Sequence, residues 1–420
     1  MNGYLLLIIV VLVGDAALHW VVDRLNLKHL SATLPEAFRG WYDEAKYAES
    51  QRYLRASTSF ETIQSLFSLV VTLLFLLAGG FGWLQGLAAS AGYGMILTGV
   101  MYMAILMLGL ALIGLPFSVY DTFVLEDKFG FNKTTPGTFA ADQVKSLILS
   151  MAIGLPLLAG LLWFFSTFPQ WGWLITLGVF LLVQFFLMLI APSVLLPLFN
   201  KFTPLADGEL KTAIEAYARQ QNYKLSGIFA IDGSRRSTKS NAYVTGFGSL
   251  KRIALFDTLI EKHTTDELVS VLAHEVGHAK LGHIRKMLFA SALSSAVMFF
   301  LLSLFLQKPG LYQAMGIDWQ GEGDAPLYVG LIGFFMIMSP LQRLMGIGIS
   351  ALSRKHEYEA DAFAIRSTGS AGPLMSALKK LSVDNLSNLT PHPAKVWLEY
   401  SHPPMPDRLA AMEKVGANLG

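Results

Sequence analysis

Seven long apolar stretches interrupt an otherwise mixed chain, at residues 3–22, 60–84, 95–119, 146–168, 171–199, 287–306 and 327–352. Each is about 20 residues or longer, which lets an α-helix cross roughly 30 Å of hydrocarbon. The pattern therefore predicts an α-helical polytopic membrane protein with seven transmembrane helices. A secretory signal is the alternative for residues 3–22. Met1-Asn2-Gly3-Tyr4 lacks its positive n-region, and no small-x-small cleavage site follows, so a first span is expected.

The polar segments carry a second pattern. The loop at 23–59 holds Arg24, Lys28, Arg39, Lys46, Arg52 and Arg55, and that at 120–145 holds Lys128, Lys133 and Lys145. The loops after the second and fourth spans hold neither Lys nor Arg, and that after the sixth holds Lys308 alone. Positive flanks resist translocation, which predicts an N-terminus outside and a C-terminus in the cytosol, in an inner or ER-type membrane. The same rule places 201–286 and 353–420 together on the cytosolic face. The expected organisation is 1–200 with spans one to five, 201–286 as the first part of a water-soluble domain, 287–352 with spans six and seven, and 353–420 as its second part. Within the first part, 207–221 has helical spacing. Two β-rich runs follow at 227–231 and 241–256, the latter broken at 246–249, and a Gly, Ser and charge cluster at 232–240 reads as a mobile loop.

Composition sharpens the picture. Of 420 residues, 53% are hydrophobic and 15% charged, too little polar surface to cover a soluble globule of this size. A net charge of +2 with no clustered basic face argues against a nucleic-acid partner. The absence of cysteine excludes disulfides and thiolate metal ligands, so any zinc must be held by His, Asp or Glu.

The candidate chemistry lies at 271–280, VLAHEVGHAK. Thr264-x-x-Glu267 forms a capping box ahead of an apolar-periodic stretch, predicting a helix from there through His283. On it, His274 and His278 are four apart and share a face, close enough for two imidazoles to bind one zinc. Glu275 is placed to accept a proton from a water at the metal. A chance H-E-x-x-H would arise in fewer than roughly one such sequence in a hundred. Charged flanks keep this helix out of the lipid.

A catalytic zinc takes three protein ligands and leaves one position for water. The third donor is sought in RKHEYEAD, residues 354–361, which continues the seventh span with Glu357 and Asp361 on one face and Glu359 pointing away. A solvated, charged helix end is the competing reading.

Together, HEVGH, EYEAD after a transmembrane hairpin, SHPPMPDR at 401–408, LPFSVYDTFVLEDKFGFNKTT at 115–135 and SNAYVTGFG at 240–248 resemble the zinc-dependent type I CAAX prenyl endopeptidases. The likeness covers nearly the whole chain with its motifs in order. It implies seven helices enclosing a water-filled chamber, with a small α+β gluzincin-type zinc protease domain on the cytosolic side. It also implies one Zn2+ per chain held by His274, His278 and Glu357, with Glu275 as general base. Asp361 would orient a ligand from behind, and Asn241 would hold the substrate backbone. His402 and Arg408 would stabilise the oxyanion or fix the site. The implied partners are peptide or protein substrates, prenylated ones among them, and the bilayer.

The tetrahedral oxyanion of peptide hydrolysis needs a donor, and His402 is the candidate, against the reading of a loop histidine held by Pro403 and Pro404. An extended peptide could add to an edge strand at 241–246. Asp15 and His19 in the first span are expected to line a wet interior or cap a helix end, and Met336 and Met338 to face lipid or pack. His283 is expected at the interface or behind a ligand, since a fourth ligand would close the water position. Beside a membrane endopeptidase, two readings remain open: an intramembrane-cleaving or quality-control protease, and a channel or transporter with a structural zinc. The latter would not require Glu275.

Overall fold

The computed structural model describes residues 2–245 and 251–419. The expected strand break at 246–249 lies outside the described residues. Among the described residues, seven helices are long and apolar enough to cross a membrane, as the sequence pattern requires. The first is α1 (Gly3–Lys28), capped by the Asn2 side chain, which accepts from the Tyr4 N–H. Next, α2 (Glu44–Leu77) starts on Asp43 as a polar helix well before its apolar stretch. Its end differs from the expected 60–84: Gly79-Gly80 interrupts the helix, and the last residues of that stretch fold into the short α3 (Gly80–Ala89). Then come α4 (Met95–Tyr120), continued by a π-helical turn at Asp121–Glu126, α5 (Pro136–Thr167), entered through Thr135 and Pro136, and α6 (Gly172–Ile190).

The polar segment that follows builds a four-stranded sheet in the order β1-β2-β4-β3. Strand β1 (Phe202–Pro204) pairs antiparallel with β2 (Gly227–Ile231). The latter runs parallel to β4 (Arg252–Phe256), which pairs antiparallel with the edge strand β3 (Ala242–Thr245). Between β1 and β2 lies α7 (Glu209–Gln220), and after β4 come α8 (Asp257–Lys262) and α9 (Thr265–Lys280). The segment 232–240, expected to be mobile, is instead pinned. Arg236 donates to both carboxylate oxygens of Asp142 at 2.8 and 3.0 Å. Lys239 reaches Glu126 at 2.7 Å and the Tyr53 hydroxyl at 2.9 Å. These partners come from α2, α5 and the turn after α4, so local sequence could not announce them.

The chain returns to the membrane through α10 (His283–Phe305), the short α11 (Pro309–Ala314) and α12 (Leu327–Thr368). The helix expected to run through His283 stops at Lys280. Gly282 has φ +70, which ends α9 and starts α10 in a new direction at His283. By contrast, α12 continues from the seventh span through EYEAD as one unbroken helix. Three helices complete the chain: α13 (Gly372–Asp384), α14 (Pro393–Glu399) and α15 (Met405–Ala417).

Two cores result. One gathers Tyr102, Leu162, Tyr312 and Phe334 among the spans around α11. The other joins Ile253 and Leu255 of the sheet and Leu272 and Val276 of α9 to Ala364, Leu374 and Met412. Residues on both sides of the α10–α12 hairpin thus share one apolar core. Asp15 and His19 neither cap an end nor stand alone: both contact Arg343 of α12, at 2.7 Å from His19 Nε2. His19 Nδ1 also lies 3.3 Å from Glu399 of α14, and Lys395 of α14 pairs with Asp23 at 2.6 Å.

Candidate metal centre

The centre begins with the cap of α9. Both halves of the capping box form: the Thr264 N–H donates to Glu267 Oε2 at 2.8 Å, and the Glu267 N–H to Thr264 Oγ1 at 3.3 Å. Glu267 is buried and also paired with Lys380 of α13 at 2.7 Å. Burial alone would raise its carboxyl, but hydrogen bonds from Lys380, Ser376 and the Thr264 N–H outweigh it and hold the group below the ordinary range.

Three turns on, α9 meets α12. Gly277 permits the approach. A methyl group there would sit 3.1 Å from Phe363 Cδ1 and 3.2 Å from the Ala360 Cα and carbonyl oxygen, tighter than ordinary contact. With the backbones this close, the faces carrying His274, His278 and Glu357 converge. His274 Nε2 lies 3.0 Å from His278 Nε2 and 3.5 Å from Glu357 Oε2, and His278 Nε2 lies 3.3 Å from Glu357 Oε1. Two imidazole nitrogens and a carboxylate oxygen, brought within 4.8 Å of one another, form a donor set able to hold a metal ion.

Behind this set stands a buried ion pair. Arg408 of α15, 5% exposed, donates to both oxygens of Asp361 at 2.9 and 2.7 Å, and its other terminal nitrogen lies 3.3 Å from Glu357 Oε2. Asp361 Oδ1 in turn lies 2.8 Å from His274 Nδ1, a close ionic contact rather than an aligned hydrogen bond. Burial opposes charge on His274, but the Asp361 carboxylate outweighs it and raises the imidazole above its usual value. In the neutral ring, the Asp361 carboxylate beside Nδ1 favours the proton there and leaves the Nε2 lone pair for a metal.

Of the sequence-selected residues, His274, His278, Glu357, Asp361 and Arg408 come together in one buried cluster. His402 sits at its open side, 64% exposed, with Nε2 3.5 Å from Glu357 Oε1 and Nδ1 3.0 Å from Ser401 Oγ. Glu275 and His278 line a cavity of about 560 Å3 that extends past His283 and His356 to Met287 and Ile349 on α10 and α12. Asn241 is exposed just ahead of the edge strand β3. Its carbonyl accepts from the Phe256 N–H at 3.1 Å, and its side-chain oxygen from the Ala242 N–H. Reading by helix face missed Glu359. It does point away from Glu357, as expected, but onto His283, 3.0 Å from Nε2. The signal for that contact was Gly282, which re-aims the start of α10.

Comparison with known proteins agrees with this architecture. Residues 23–201 match the family described as "CAAX prenyl protease N-terminal, five membrane helices", and residues 204–415 match peptidase family M48. CAAX prenyl protease 1 of Saccharomyces cerevisiae is 36% identical, with 91% of this chain and 89% of the yeast protein covered. The CAAX prenyl protease 1 homolog of Arabidopsis thaliana is 34% identical, with 93% of each covered, and that of Homo sapiens 34%, with 88% and 86% covered. The crystal structure of S. mikatae Ste24p superposes with a TM-score of 0.93 at 34% identity, covering 98% of this chain and 100% of that one. The two matched regions together take in α2 to α6, α10 and α12, with the HEVGH and EYEAD motifs, and the chain belongs to peptidase family M48, among the CAAX prenyl proteases, as an integral-membrane metalloendopeptidase.

Proposed function

We propose that the protein is a zinc endopeptidase that cleaves CAAX-type peptides, prenylated ones included, presented at the cytosolic face. The observation that carries this reading is the convergence of His274 Nε2, His278 Nε2 and one Glu357 oxygen at spacings of 3.0, 3.3 and 3.5 Å. Tetrahedral zinc with bonds of about 2.0–2.2 Å sets its ligand atoms roughly 3.3 Å apart, so these residues fit that ion as a set of three with one position left for water. The substrate class is supported by the names of the relatives.

Bound there, zinc would lower the pKa of its water toward 7 and polarise the scissile carbonyl. Glu275, next to His274 and lining the cavity, accepts the attacking water's proton and returns it to the leaving amine. His402, exposed at the open side, donates to the oxyanion. Arg408 engages Asp361 through two nitrogens and Glu357 through the third, so its role is to hold the carboxylate ligand in place. An extended peptide adds along β3, with Asn241 holding its backbone. The two polar segments 201–286 and 353–420 act as one catalytic domain, sharing a core across the α10–α12 hairpin. The spans bury few side chains, α2 only Tyr47, Ser50, Thr58 and Leu76 over 34 residues. With apolar side chains turned outward, the superposition on S. mikatae Ste24p supports helices arranged around a chamber. The alternating Lys and Arg loops support an outside N-terminus and a cytosolic catalytic domain.

The test is purified wild type against Glu275→Gln at equal zinc content, with and without chelator, on farnesylated and unmodified CAAX peptides. Loss of a general base predicts a 10^2–10^4-fold fall in kcat with zinc retained. Equal cleavage by the variant would refute the mechanism, and failure to cleave the farnesylated peptide would refute the inclusion of prenylated substrates.

A further inference from the structure

His278 is held from both sides. Its Nε2 faces the metal position, while its Nδ1 lies 3.0 Å from Nδ1 of His283, the first residue of α10. His283 Nε2 in turn lies 3.0 Å from Glu359 Oε2 on α12. The His283 ring is 2% exposed and stacked on His356, with centroids 3.9 Å apart and planes 8° apart. Lys286 and Lys355 flank Glu359 at 4.0 and 3.7 Å.

These contacts permit one arrangement of protons once a metal is bound. A neutral imidazole that gives its Nε2 lone pair to a metal carries its proton on Nδ1. That proton points at His283 Nδ1, which must therefore accept. The proton of His283 is then on Nε2, where Glu359 accepts it. We infer that His283 and Glu359 form a positioning relay that fixes the tautomer and ring plane of His278, and so the metal affinity of the site. This rests on the zinc reading above. The two histidine ligands are then braced differently: His274 directly by Asp361, and His278 through a second imidazole.

A competing use of the same residues is a second metal site, because His283, His356 and Glu359 also bring donor atoms together. The proton arrangement opposes it. A metal on His283 Nε2 would move the proton to Nδ1, where His278 Nδ1 would have to accept it. The His278 proton would then sit on Nε2 and block the catalytic position. The stacked, nearly parallel rings of His283 and His356 also do not converge on a shared point.

The test uses the full chain in detergent. Zinc affinity is measured by competition with a chromophoric chelator, alongside cobalt(II) absorption spectra and thermal melts, for wild type, His274→Ala, His283→Leu, His283→Asn and Glu359→Ala. The relay predicts one zinc per chain. His283→Leu should bind it 10–100-fold more weakly, as measured when groups behind metal ligands are removed. His283→Asn, whose amide can accept and donate in the same sense, should recover most of that loss. At saturating zinc, His283→Leu should lower kcat with little change in KM and shift the cobalt spectrum. Wild-type affinity in a folded His283→Leu, or Asn performing no better than Leu, would overturn the relay. So would a second zinc equivalent. If His283→Leu does not fold, Glu359→Ala decides: a several-fold weaker affinity supports the relay, and no change overturns it. Failure of the parent reading gives a different result, in which wild type binds no zinc or His274→Ala keeps it.

Discussion

Two pairs of residues four apart on a helix carry similar sequence signals and reach opposite ends. Asp15 and His19 on α1 and His274 and His278 on α9 each project onto α12. At the first pair α12 presents Arg343, a cation that both residues contact, and Lys395 balances Asp23 and Glu399 nearby. At the second pair it presents Glu357, another acceptor, so three lone pairs face one point. Opposite charges that meet make a clamp. Donor atoms that meet make a place able to hold an ion from outside. The partner brought by α12, rather than the pair itself, separates structure from chemistry.

This contrast can be broken from either end. The largest effect is expected at Gly277, which lets α12 come close enough to deliver Glu357. Gly277→Leu should force the helices apart and abolish zinc binding with the activity, read by metal content and peptide cleavage. A variant that keeps its zinc would show that the approach is unnecessary. At the clamp, Arg343→Met leaves the half-buried Asp15 without its cation. It should destabilise the fold by about 2–4 kcal/mol, read by thermal melting, while zinc content stays at one per chain. Zinc loss in a folded Arg343→Met would mean that the two clusters are one unit. The smallest effect concerns the cap of α9. The folded state holds the Glu267 carboxyl low, so this group stabilises the protein above its unfolded value near pH ~4.3 and loses that contribution as pH falls through the folded value. Melting temperature should therefore fall less steeply between about pH 6 and pH 3 in Glu267→Gln than in wild type.

Much of this was legible in the sequence. The spans need only local length and apolarity, and the α9 start needs only a capping box; both appear as expected, save that Gly79-Gly80 ends the second span early. The continuity of α12 through EYEAD was legible because no Pro or Gly interrupts residues 349–368. What the pattern missed depends on distant partners or single backbone angles. The segment 232–240 reads as mobile until Asp142 and Glu126 arrive from other elements. Gly282 was a visible glycine whose φ of +70 was not, and it ends α9 short of His283. The three-residue β1 carries too little alternation to register. For Arg408, sequence left two roles open, and only its contacts with Asp361 and Glu357 favour holding the site over touching the oxyanion.

The claim beneath all of this is that α12 completes a three-ligand centre begun by α9. X-ray absorption at the zinc edge of the purified protein tests it most directly. The account predicts two nitrogen and one protein oxygen neighbours plus one exchangeable water oxygen, with the protein oxygen lost in Glu357→Ala. A shell of four protein ligands, or one that Glu357→Ala leaves unchanged, would contradict it.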